Sequence, residues 1–170
     1  MDKEKVVLVA GTFDILHESH VNMLRNAKNL GSKLIVMLST DEFNAGKGKK
    51  AFQDYDTRKY VLESIRYVDL VVPEQSWNDK SLYIDMFDVN IFAMGDDWKG
   101  KFDFLKEEFP NLKIMYFPRG KISSSNIKQE IGRLYSSDDV GLSKEKESEQ
   151  KTLLFFIFPH TKICLQGRHI

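Results

Sequence analysis

The residues Gly11–His20 read G-T-F-D-I-L-H-E-S-H. They place two histidines, His17 and His20, three positions apart, behind a glycine turn and at the entrance to a helical pattern. Imidazoles in such a place can hold a metal ion, contact phosphate or simply pack. A zinc site needs a third ligand, and no cysteine or histidine follows at ligand spacing, although Glu18 stands between the pair. Packing fits poorly, because neither histidine falls on the apolar face of the helix that follows. Phosphate fits best. The first turn of a helix offers unpaired N–H groups and the positive end of a dipole, and imidazoles there can stabilise charge developing at phosphorus. A dinucleotide cofactor is disfavoured, since Gly11 is the only glycine of a G-x-G-x-x-G pattern present.

Three further stretches carry charge or hydroxyls at useful spacing. Gly46-Lys47-Gly48-Lys49-Lys50 reads as a solvated basic loop or as a flexible turn whose lysines reach phosphates as point charges. Gly95-Asp96-Asp97-Trp98-Lys99-Gly100-Lys101 has the outline of a P-loop. Phe102 stands where Ser or Thr would hold magnesium, however, and two carboxylates would face the phosphates. Pro118–Ile127, P-R-G-K-I-S-S-S-N-I, combines Arg119 and Lys121 with Ser123, Ser124 and Ser125. One serine is explained by helix capping, and the set together looks like a second anion cradle. Arg58 and Arg66, eight apart on an expected helix over 55–68, can add positive charge toward a substrate, with surface exposure the default for each.

These stretches need a frame. Short runs rich in Val, Ile and Phe at Val6–Ala10, Leu34–Leu38, Leu70–Val72, Ile91–Met94 and Ile114–Phe117 predict strands. Between them lie helical patterns: Val21, Leu24, Ala27 and Leu30 with Gly31 as terminator, then 60–68, 82–87, 102–109 and 127–134. The alternation predicts an α/β fold, a Rossmann-like doubly wound five-stranded parallel sheet with helices on both faces and right-handed crossovers. Ligands of such sheets bind at the carboxyl ends of the strands, near the switch point. The candidate loops are therefore 11–20, 39–52, 73–80, 95–101 and 118–124, and they contain all or most of each stretch named above but neither arginine.

Twenty-five Lys and Arg balance twenty-five Asp and Glu, so no overall field draws the protein to nucleic acid, and anion binding must be local. One cysteine, Cys164, excludes an internal disulfide. No run of about 20 apolar residues is present to span a bilayer, and the charged start M-D-K-E-K lacks a signal-peptide pattern. A cytoplasmic protein is expected. Residues 1–135 read as one domain. The stretch 136–170 reads as a polar linker followed by the apolar segment T-L-L-F-F-I-F-P, an extra strand or docking segment, a membrane-surface or partner contact, or a non-native extension.

Taken together, G-T-F-D-I-L-H-E-S-H, S-T-D-E-F-N-A-G-K-G-K-K (Ser39–Lys50), R-K-Y-V-L-E-S-I-R-Y-V-D (Arg58–Asp69), M-G-D-D-W-K-G-K-F-D-F-L (Met94–Leu105) and P-R-G-K-I-S (Pro118–Ser123) resemble, in order, the segments of the cytidylyltransferases of the nucleotidyltransferase superfamily. The D-D-W-K-G-K-F-D-F-L segment resembles their glycerol phosphate branch. The likeness covers about residues 5–134.

The resemblance implies transfer of CMP from CTP to sn-glycerol 3-phosphate, giving CDP-glycerol and pyrophosphate by direct in-line attack. The product would supply glycerol phosphate polymers such as teichoic acid. It implies His17, His20, Lys47, Lys49 and Arg119 as the catalytic set. CTP would be held by Gly11, Thr12, Phe13, Asp14, His17, His20, Lys49, Asp97, Arg119, Ile122, Ser123, Ser124 and Ser125. Lys47 and Lys80 would meet glycerol phosphate, with Arg58 and Arg66 nearby. Mg2+ would travel with the triphosphate, and a homodimer is expected. Two departures stand out. Ser19 occupies the glycine of H-x-G-H, and R-G-K-I-S-S-S is one residue shorter than R-T-x-G-I-S-T-T. CMP or AMP transfer to another phosphorylated alcohol, or nucleotide binding without turnover, are the alternative activities.

Overall fold

The computed structural model describes residues 4–136. Five parallel strands, β1 (Val6–Gly11), β2 (Lys33–Ser39), β3 (Leu70–Glu74), β4 (Ile91–Gly95) and β5 (Lys113–Phe117), form one sheet in the order β3-β2-β1-β4-β5. The expected strands were all found, each longer by one or two residues. They were legible because a parallel sheet covered on both faces needs continuous apolar runs. Along β1 the side chains divide by pleat. Val6, Leu8 and Ala10 enter one core with Ile84, Phe92, Phe102 and Leu105. Val7 and Val9 enter the other with Leu24, Ala27, Leu34 and Leu62.

Helices α1 (Glu18–Lys28) and α3 (Tyr55–Glu63) cover the second core, and α4 (Asp79–Met86) and α5 (Leu105–Glu108) the first. The sequence pattern misplaced several of them. A helix α2 (Asp41–Gly46) occupies part of the expected 39–52 loop, started by Thr40, whose hydroxyl accepts the Phe43 N–H at 3.2 Å. The expected 102–109 helix is the single turn α5, preceded by a 3-10 turn at Asp96–Trp98. The expected 55–68 helix stops at Glu63, which leaves Arg66 beyond it. Gly31 is not a left-handed terminator, since only Gly48 and Gly100 have positive φ among the described glycines. It is required by close approach instead, because a Cβ there would lie 2.3 Å from the Lys5 carbonyl oxygen.

The last helix, α6, runs Ser124–Ser136. Ser123 caps it by accepting the Asn126 N–H at 3.2 Å. The chain divides between Lys128 and Gln129. The whole sheet belongs to the first unit. Within the second, the described residues 129–136 continue α6, and Arg133 pairs there with Glu130 at 2.6 Å. Of the expected linker and apolar tail at 136–170, all but Ser136 lies outside the described residues.

Candidate active site

The strand order reverses between β1 and β4, so helices leave these two strands on opposite faces and a crevice opens at their carboxyl ends. There the residues beyond Gly11 and Gly95, with the turn after β5, enclose a cleft of about 720 Å³. Gly11, Thr12, Phe13, Asp14, His17 and His20 line it from the β1–α1 connection. Lys49 and Asp97 line it from two neighbouring loops, and Arg119 with Ile122, Ser123, Ser124 and Ser125 close it from the last one.

The β1–α1 loop is held in an unusual path. Phe13 and Ile15 have φ of 48° and 46°, a region a β-branched residue adopts only under tertiary compulsion. Between them Asp14, 4% exposed, supplies the compulsion. Its carboxylate accepts the N–H groups of Phe52 (2.8 Å) and Gln53 (3.0 Å) and pairs with Lys128 at 2.5 Å. Its carbonyl accepts the Ser124 hydroxyl at 2.5 Å. Burial alone would raise the Asp14 pKa. The hydrogen bonds from Lys128, Gln53 and Phe52, with the Lys128 charge, outweigh it and hold the carboxyl below the ordinary carboxylate value.

The loop delivers His17 and His20 to the first turn of α1. His17 is the N-cap residue but makes no capping hydrogen bond, so the N–H groups of that turn lack a side-chain cap. The two rings stack, centroids 3.9 Å apart. Both nitrogens of His17 and Nδ1 of His20 are buried with no hydrogen-bond partner among the described residues. Buried polar atoms of this kind are rare unless a ligand completes them. Burial, then the charge on His17, pushes the His20 pKa down to about 4 against the opposite pull of Asp14. Burial also lowers His17. Both imidazoles are therefore neutral at pH 7, each with one N–H to donate.

A second charged cluster lies outside the cleft lining. Glu74, at the end of β3, accepts the Ser39 hydroxyl at 2.5 Å and is ion-paired with Lys80. Lys47 donates to the Ser39 hydroxyl at 3.0 Å and lies 4.0 Å from Glu74. Aromatic rings wall the cluster. Lys47 sits 4.0 Å over Phe43, and Lys80 sits 4.8 Å over Trp77 and 4.9 Å over Phe102. Burial comes first among the causes that lower the Lys47 pKa, ahead of the opposing pull of Glu74. Lys49 turns the other way across Gly48 (φ 67°) and lies 5.6 Å over Trp98, a residue of the cleft wall.

The two arginines fall elsewhere. Arg58 is 1% exposed instead of surface-facing, because it is fully used inside the fold. Its guanidinium donates to the carbonyls of Thr12 (2.7 Å), Ser39 (2.9 Å) and Gln53 (3.1 Å) and to Asp41 at 2.6 Å. Arg66 is exposed, lies outside the cleft lining and rests near the Tyr67 ring. Sequence reasoning missed Glu74, Lys128 and the aromatic wall. An acidic residue closing an otherwise apolar strand, V-V-P-E, was the signal available for the first.

Residues 8–140 match the model of the cytidylyltransferase-like family. A glycerol-3-phosphate cytidylyltransferase of Staphylococcus aureus (strain NCTC 8325 / PS 47) is 51% identical over 128 residues, 75% of this chain and 95% of that protein. One of Bacillus subtilis (strain 168) is 50% identical, covering 76% of this chain and 99% of the relative. Among solved structures, the lipopolysaccharide core biosynthesis protein of Thermoplasma volcanium GSS1 superposes with a TM-score of 0.61 over 71% of this chain and 99% of that one, at 24% identity, which speaks for the fold alone. By motif order, sheet topology and this extent of identity, the chain belongs to the cytidylyltransferase-like family, in the branch of the glycerol-3-phosphate cytidylyltransferases.

Proposed function

We propose that the protein transfers CMP from CTP to sn-glycerol 3-phosphate, releasing pyrophosphate and forming CDP-glycerol for glycerol phosphate polymers such as teichoic acid. The chemistry rests on one observation above all: two neutral imidazoles with three unpartnered buried nitrogens at the uncapped start of α1. In the proposed reaction an oxygen of the acceptor phosphate attacks the α-phosphorus as the bond to pyrophosphate breaks. The nucleophile is already an anion, so no general base is needed. Catalysis then lies in positioning and in donors aimed at the charge on the phosphoryl oxygens. His17, His20 and the α1 N–H groups would supply these donors, while Lys49 and Arg119 neutralise the departing pyrophosphate.

The acceptor would occupy the Lys47–Lys80 cluster. Two ammonium groups against the single carboxylate of Glu74 leave one positive charge among aromatic rings, which suits a small phosphate monoester reaching Lys47, while Lys80, 1% exposed, would act from behind it. The choice of glycerol phosphate follows the names of the two relatives at about half identity. Among the described residues no three His, Cys, Asp or Glu side chains group to hold a metal ion. Magnesium is proposed to arrive as the counter-ion of the triphosphate. No helix among the described residues is long and apolar enough to cross a membrane. A cytoplasmic homodimer completes the proposal.

The deciding experiment is pyrophosphate release with CTP or ATP against a panel of phosphorylated alcohols. CTP with sn-glycerol 3-phosphate should give the highest kcat/KM. A preference for ATP, or for phosphoethanolamine, would replace this assignment.

A further inference from the structure

The turn that carries Arg119 approaches the first turn of α1 closely where Gly120 meets Ser19. A Cβ built on Gly120 would lie 2.2 Å from Ser19 Oγ and 2.5 Å from Ser19 Cβ. Gly120 does not have a positive φ, so its backbone does not demand glycine, and the occupied space does. Rotation about the Ser19 side-chain bond can move Oγ away. It cannot move Cβ, which the helix backbone fixes. The two residues therefore fit only because one has a side chain and the other has none.

We propose that Ser19 and Gly120 act as one packing pair that seats the 118–123 turn on the start of α1 and so positions Arg119 for the phosphates of the nucleotide. Arg119 and Lys121 flank Gly120 and line the same cleft as His17 and Ser19. The Arg119 N–H is held by the Asp96 carboxylate at 3.2 Å, so a displacement at Gly120 is taken up next door, at the Arg119 guanidinium. The pair also joins the two departures from the family pattern, the serine in H-x-G-H and the shortened turn. The side chain added on the helix occupies the space that a side chain on the turn would need. This inference rests on the nucleotide reading of the cleft.

The test compares Gly120→Ala, Ser19→Gly, Ser19→Ala and the two doubles, measuring KM for CTP, kcat and urea unfolding. Gly120→Ala should raise KM for CTP roughly tenfold, as expected when one methyl overfills a packed contact. Ser19→Ala/Gly120→Ala should remain as impaired, because Cβ is still present. Ser19→Gly/Gly120→Ala should return to within about threefold of the wild type. A general loss of folded enzyme would lower apparent kcat and leave KM alone. An unchanged KM in Gly120→Ala, or an equal penalty in the Ser19→Gly background, overturns the pair. If the wild-type protein releases no pyrophosphate from CTP, the functional reading fails. The unfolding data then decide the pair separately, with non-additive changes supporting it and additive changes overturning it.

Discussion

The imidazoles of His17 and His20 stack at 3.9 Å with their planes 27° apart, an arrangement that tolerates two neutral rings and opposes two charged ones. His20 titrates at about 4 in the folded protein against an ordinary value of 6.5. Below pH 6.5 the unfolded chain takes up a proton that the folded chain refuses, so stability is full above 6.5 and falls toward pH 4. The loss at pH 4 is on the order of 3 kcal/mol. Asp14, Asp54 and Asp69 all lie below 3.8, so their contributions are lost at lower pH still. Urea unfolding of the wild type between pH 7 and 4.5 should therefore show a slope that His20→Asn flattens. Equal slopes would mean that His20 is not the group responsible.

The same neutrality predicts the catalytic phenotype. His17→Ala or His20→Ala should lower kcat by roughly 10²–10³, the scale for losing one preorganised donor. The fold should survive, since neither ring is part of the two hydrophobic cores. Turnover close to wild type in either variant would remove the imidazoles from the mechanism.

Lys47 and Lys49 are separated only by Gly48, yet they face different neighbours, Ser39 and Glu74 for the first and Trp98 for the second. Lys47→Ala should chiefly raise KM for glycerol 3-phosphate, and Lys49→Ala should chiefly raise KM for CTP. Each value is to be read at saturating co-substrate and fixed magnesium. Small, identical effects would leave both as solvated charges.

Arg58 predicts a loss of stability ahead of any loss of substrate affinity. Its guanidinium holds the Thr12 carbonyl after β1, the Ser39 carbonyl at the end of β2 and the Asp41 carboxylate at the start of α2. Arg58→Met removes all of these donated hydrogen bonds at once and should cost about 2–4 kcal/mol in urea unfolding. Asp41→Asn should cost less, because the Asp41 side chain is 43% exposed and water can replace its partner. A stable Arg58→Met protein with a raised KM for glycerol 3-phosphate would instead restore the substrate-contact expectation.

What the sequence revealed and what it hid have physical causes. The strands were readable because Val6–Ala10 and Leu34–Leu38 are apolar at every position, as burial on both faces requires. The cleft was readable because parallel strands place their carboxyl-end loops along one edge of the sheet. Helix α2 was hidden, since Asp41–Gly46 has few apolar residues and depends on the Thr40 cap. The burial of Arg58 was hidden because periodicity treats arginine as solvent-facing, whereas here four hydrogen bonds replace its hydration. Gly31 and Gly120 were opaque for a shared reason: each is small because of an atom far away in the chain, Lys5 in one case and Ser19 in the other.

The central place of β1 also dictates an order of events during synthesis. Val6–Gly11 can pair with β2 as soon as Ser39 has left the ribosome, but its other edge waits for β4, where Val7 meets Ile91. For that interval the most apolar strand of the protein shows an open edge, the feature by which unfinished chains stick to one another. A chain released at Asp88 should therefore scatter light and sediment as aggregates, whereas one released at Ser136 should stay dispersed. If both behave alike, β4 is not what shields the nascent protein.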